Sequence, residues 1–102
     1  QGVLTNPSDE RLKEDVHDLD LDKTLVELMK YRPVSYKYIN GVDKNVHHGL
    51  IAQEAQKIAD WGLVDDRGEY LAINYVELIT DLIKAAQYSL KEIKTIKDAI
   101  II

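Results

Sequence analysis

Residues 74–102 read NYVELITDLIKAAQYSLKEIKTIKDAIII, and the spacing of apolar side chains in this stretch decides the fold. Val76, Ile79, Ile83, Ala86, Leu90, Ile93, Lys97 and Ile100 recur at alternating intervals of three and four, and all but Lys97 are apolar. This is the seam of a coiled coil, sustained over more than three heptads. Asn74 is placed to cap the helix, with Glu77 three residues on in a variant of the capping box. A helix of this length rises roughly 40 Å at about 1.5 Å per residue, more than a small domain can cover by itself. Other copies of the chain are therefore expected to cover it, and β-branched residues at both seam positions favour three strands or more over two. The competing arrangement is an amphipathic helix folded back on its own domain.

Upstream of the helix the periodicity changes repeatedly. Leu63 to Ile73 contains a short hairpin around Asp65-Asp66-Arg67-Gly68, and Ile51 to Trp61 reads as a helix with Ala52, Ala55, Ile58 and Ala59 at helical spacing. Val34, Tyr36 and Tyr38 alternate with Ser35 and Lys37 as in a half-buried strand, Asn40-Gly41 is a strong turn signal, and Val46 to Leu50 can return as the partner strand. Thr24 to Tyr31 predicts a helix capped by Asp22 or Thr24, with Leu25, Leu28 and Met29 toward the core and Arg32-Pro33 as its stop. From Asp9 to Asp22 charges are dense, which predicts a turn or short helix followed by a loop. The fold class is α+β: small hairpins and short helices, then a long coiled-coil helix, in an assembly of three or more copies. The organisation reads as a lead-in over 1–7, a core over 8–73 and an oligomerisation helix over 74–102.

Composition narrows the function classes. The 102 residues carry 13 Lys and Arg against 18 Asp and Glu, a net charge of −5 spread along the chain. That balance argues against nucleic acid and anionic membrane surfaces as partners, since phosphate binding requires clustered cations. Cysteine is absent, which removes disulfide and thiolate chemistry. No apolar run reaches the length of a membrane span, and a start at Gln1 reads as a piece of a longer chain.

Chemistry is concentrated in Ser8-Asp9-Glu10-Arg11-Leu12-Lys13, just after Asn6-Pro7. A serine hydroxyl becomes a nucleophile when a neighbouring lysine, held neutral by withdrawal from water, accepts its proton. Residues five apart do not share a helix face, so a Ser8–Lys13 pair requires a turn or extended backbone at Ser8. The other reading is that Ser8 caps a helix while Asp9 and Glu10 favour the positive end of its dipole.

The order Ser8-Asp9-Glu10-Arg11-Leu12-Lys13, then Val34-Ser35-Tyr36-Lys37-Tyr38, then Gly49-Leu50-Ile51-Ala52-Gln53-Glu54, then a long terminal helix, resembles the self-cleaving intramolecular chaperone domain at the C-terminus of phage tail spikes, tail fibres and neck appendages. A similar domain occurs in myelin regulatory factor. The resemblance implies a homotrimer that aligns three copies of an upstream fibre of the same polypeptide and then releases itself. It implies Ser8 as nucleophile, Lys13 as general base and Pro7–Ser8 as the scissile bond, with no cofactor and no metal. It also implies action in the host cytoplasm during virion assembly. Pro7 departs from the family's usual site and stiffens the acyl side of that bond.

Supporting roles follow from the same resemblance: Glu54 as acceptor for Lys13, Gln53 as donor to the developing oxyanion, and Asp9 and His48 nearby. Each also reads as an ordinary surface group, Gln53 and Glu54 on a helix face and Asp9 in a first turn. The His47-His48 pair has no third metal ligand close in sequence. Two other classes stand beside the self-cleaving chaperone. One is a trimerisation module without chemistry. The other, a hydrolase acting on separate substrates, finds no nucleophile elbow, phosphate loop or ligand cluster in the chain.

Overall fold

The computed structural model describes residues 6–39, 41 and 43–100. A 3-10 turn over Glu10–Leu12 precedes helix α1 (Leu21–Lys30), strand β1 (Val34–Tyr36), strand β2 (His47–Gly49), helix α2 (Ala52–Ile58), strands β3 (Val64–Asp65) and β4 (Ala72–Ile73), and helix α3 (Tyr75–Ile100). The α+β class read from the sequence is the class observed. β1 and β2 pair antiparallel with Ser35 opposite His48, and β3 pairs with β4 with Val64 opposite Ile73. The Asn40 half of the turn signal lies outside the described residues, while Gly41 has a φ of 65°, the left-handed conformation that favours glycine.

Helix α1 starts earlier than the spacing predicts. Its cap is Asp20, whose carboxylate accepts from the Lys23 N–H at 2.9 Å, in place of Asp22 or Thr24. The buried stripe is also displaced. Thr24 and Glu27 are buried while Met29 is 85% exposed and Leu25 is half-buried; of the three residues expected to face the core, Leu28 does so most directly. The reason is the partner surface: α1 lies against α3, and Thr24, Glu27, Leu28 and Tyr31, spaced by three and four, share one face. α3 answers with Leu78 and Asp81, both buried.

The buried apolar centre is small. Ala55 of α2, Leu63 before β3 and Leu78 of α3 are enclosed, with Leu28, Tyr31, Leu50, Trp61 and Ile73 packed around them. α2 is shorter than the predicted 51–61 helix because its last N–H bonds close at Ala59, after which the chain turns to place Leu63 in the core. α3 starts at Asn74 by its backbone: the Asn74 carbonyl accepts from Glu77 and Leu78. The expected side-chain cap is not made, since the Asn74 amide donates to the Gly62 carbonyl at 2.9 Å. The seam residues Val76, Ile79, Ile83, Ala86, Leu90, Ile93 and Ile100 all lie exposed on the face away from α1.

Candidate functional site

The backbone around Ser8 is a tight turn between two extended residues. Asp9 (φ −67°, ψ 132°) caps the 3-10 turn by accepting from the Arg11 N–H at 2.8 Å, and Lys13 (φ −119°, ψ 148°) leaves it extended. The cap is therefore Asp9, which leaves the Ser8 hydroxyl free of that duty. Reversal through the turn brings the two ends together, and Lys13 Nζ donates to Ser8 Oγ at 2.9 Å. A five-residue separation closes because a 3-10 turn flanked by extended residues doubles back, where an α-helix would carry the two side chains apart.

Asp9 is committed elsewhere. Its carboxylate takes the Arg11 guanidinium at 2.8 and 3.0 Å, and that pairing holds the acid below its ordinary range. Glu54 likewise accepts both nitrogens of Arg32, at 3.1 and 2.6 Å, and is lowered by that pairing; it makes no bond to Lys13 within the chain. Gln53 lies on the wall of a different groove, with Tyr36, Tyr38 and Tyr70. His48 is exposed on β2, whereas His47 is held by Asp43 at 2.7 Å and stacks on Tyr36. Among the described residues no three His, Cys, Asp or Glu side chains gather as a metal site.

Ser8 and Lys13 form one side of an open groove of about 900 Å³. Pro7 and Leu19 extend that side, and the first turns of α3 supply Asn74, Tyr75, Val76 and Thr80. Trp61 and Asp81 also line the groove. The Trp61 indole donates to Glu27 at 3.3 Å. Asp81 is raised above the usual carboxylate range, first by burial and then by Glu27. Tyr31, whose hydroxyl is buried without a partner, is pushed up to about 12 by burial, with Glu27 and Asp81 adding to it.

Sequence reasoning missed this second side of the groove. Asn74 reads as a cap and Trp61 as a helix end, and Asp81 sits at a position that periodicity assigns to solvent. The sequence signal that was available is the Asn74-Tyr75 pair at the junction of hairpin and helix, where two hydrogen-bonding side chains meet an α3 start.

Residues 8–63, just over half of the chain, match the Peptidase_S74 family, described as chaperone of endosialidase. The chain is also 36% identical over 94 residues to Myelin regulatory factor homolog 1 of Caenorhabditis elegans, with 84% of this chain and 10% of that protein covered. It thus spans about a tenth of the length of that relative. The family match begins at Ser8, the residue that Lys13 contacts, and runs through both β1–β2 and α2 to the buried Leu63. The α+β core that carries the Ser8–Lys13 contact is that family's domain, and the chain belongs to the chaperone of endosialidase family.

Proposed function

We propose that this domain is a C-terminal intramolecular chaperone: it trimerises through α3, holds three copies of the preceding fibre segment in register, and then cuts itself free before Ser8. The observation that carries the reading is the 2.9 Å contact between Lys13 Nζ and Ser8 Oγ, at the first residue of the family match. In the reaction, the neutral Lys13 amine takes the Ser8 hydroxyl proton as Oγ attacks the Pro7 carbonyl carbon. The Pro7–Ser8 C–N bond breaks with a proton passing to the Ser8 nitrogen, and water then hydrolyses the resulting ester to a Pro7 carboxylate. A lysine works as a base only when neutral, and withdrawal from water favours that form. Ser8 and Lys13 are exposed in the single chain, and Val76 of the seam lines their groove, so a neighbouring copy packed on the seam would close it.

The chaperone step answers a physical difficulty. Interweaving three chains is a problem of high contact order, and a preformed trimer raises the effective concentration of the strands that must pair. Cleavage afterwards removes the route back and leaves the upstream segment kinetically trapped. A virion fibre folded in the host cytoplasm is the setting this reading assigns. The identity with a myelin regulatory factor homologue favours a second setting, the same cut made inside a longer protein of that type.

The test is intact mass spectrometry of the domain expressed with its natural upstream chain. Release of a fragment starting at Ser8, lost in both Ser8→Ala and Lys13→Ala, is the expected result. A native chain that stays whole while sedimenting as a trimer would leave an assembly module without chemistry.

A further inference from the structure

The segment carrying Ser8 and Lys13 has little hold on the rest of the molecule. Residues 6–20 are all exposed, the 3-10 turn buries none of its side chains, and its hydrogen bonds are local. Lining the same groove as Ser8 and Lys13 is the first turn of α3. The direction of that turn is set by two residues. Asn74 donates its side-chain amide to the Gly62 carbonyl at 2.9 Å and its N–H to the Leu63 carbonyl at 2.8 Å, and Leu63 is fully buried. Tyr75 accepts the Leu50 N–H on its hydroxyl at 2.9 Å, twenty-five residues back along the chain.

The approach of Tyr75 depends on Gly49, because a Cβ there would stand 2.8 Å from the Tyr75 hydroxyl. None of these side-chain bonds is needed to form the helix, whose first amides bond to the Asn74 carbonyl. They aim it. Asn74 ties the start of α3 to the loop before β3, Tyr75 ties it to the end of β2, and both side chains line the groove with Ser8 and Lys13.

We propose that Asn74 and Tyr75 are positioning residues for self-cleavage, holding the first turn of α3 as the wall that orients the Ser8–Lys13 pair. This rests on the reading of that pair as the cleaving groups. Misplacing a reacting group by about 1 Å costs up to roughly a hundredfold in rate, so a wall that loosens without unfolding slows the cut. The other charged groups lining the groove are Glu77 and Asp81.

The experiment uses the full natural chain, with Tyr75→Phe to delete the acceptor while keeping the ring, Asn74→Ala to delete the other tether, and Leu28→Val as a control that loosens the core away from the groove. Cleavage rate, its pH profile, thermal midpoint and oligomer mass are followed together. The expected result is a fall of about tenfold in rate for Tyr75→Phe, with the pH profile displaced upward as the loosened wall lets water into the groove that a neighbouring copy closes, and an unchanged oligomer. Leu28→Val, at an equal or larger drop in thermal midpoint, is expected to keep the native profile. Native rate and profile in both tether variants overturn the proposal. So does an equal slowing in the control, which makes the tethers merely structural. If the native chain itself does not cut at Ser8, the reading of the pair fails and takes this inference with it; cutting by the native chain with unaffected tether variants overturns the inference alone.

Discussion

At the scale of single residues, the site is made by side chains released from their expected duties. Ser8 is available because Asp9 takes the cap, and Lys13 reaches it because both flanks of the 3-10 turn are extended. Lys13→Arg is therefore expected to keep a basic side chain near Ser8 and still abolish the proposed self-cleavage, since a guanidinium does not give up its proton in this range; intact mass reads the outcome. Of the described glycines, Gly49 has the least room. Gly49→Ala would drive a methyl to 2.8 Å from the Tyr75 hydroxyl and 3.3 Å from the Tyr36 ring, and a loss of about 1–3 kcal/mol in urea unfolding is expected. Adding Tyr75→Phe should recover part of it, so that the double variant loses less than the two singles together. The Ser8–Lys13 pair was legible from the sequence because both residues lie in one short segment. The Asn74 and Tyr75 tethers were not, because their partners, Gly62 and Leu50, are twelve and twenty-five residues away.

At the scale of elements, the joint between α1 and α3 contains a conflict. Glu27 and Asp81 are 7% and 6% exposed at one helix interface, against a single indole donor and a Lys23 ammonium 3.9 Å from Glu27. Burial raises the Asp81 carboxyl, and Glu27 adds to it. The fold thus favours the protonated acid. Its contribution is complete below the unfolded value of about 3.9 and is lost as pH rises through the raised folded value. Once pH has risen past that folded value, the buried carboxylate is a cost to the fold. Asp81→Asn is expected to stabilise the domain above that folded value by about 1 kcal/mol and to flatten the fall in stability above pH ~4; thermal unfolding across that range measures both. Periodicity placed these two helices correctly in type and nearly in extent. It misjudged α1's inward stripe, since an amphipathic pattern reports where apolar groups lie and here the partner surface called for Thr24 and Glu27 as well.

At the scale of the whole molecule, the single chain is open. Its radius of gyration is 17.7 Å where a compact chain of this length has about 13 Å, and its accessible surface of 9147 Å² compares with roughly 5,900 Å² expected for a monomer of this mass. Helix α3 at about 1.5 Å per residue reaches some 39 Å and carries exposed Ile83, Leu90, Ile93 and Ile100. Under the proposed trimer, sedimentation should give three times 11.7 kDa, and the thermal midpoint should rise with protein concentration. Ile83→Asp, a charge placed on the seam, is expected to give monomers and to abolish cleavage of the natural chain together with assembly. Dispersed monomers that still cut at the native rate would separate the chemistry from the trimer.

By itself the sequence determined what depends on near neighbours. The two hairpins, three helices and the turn that joins Ser8 to Lys13 follow from apolar spacing, turn residues and chain stiffness over a few positions. The tertiary structure alone decided which face of α1 is buried, that Asn74 and Tyr75 reach back to Gly62 and Leu50, and that Asp81 ends up enclosed beside the groove. The physical reason is distance along the chain. A local preference acts on a residue through its own dihedrals, whereas burial and a long-range hydrogen bond exist only once distant segments have been brought together.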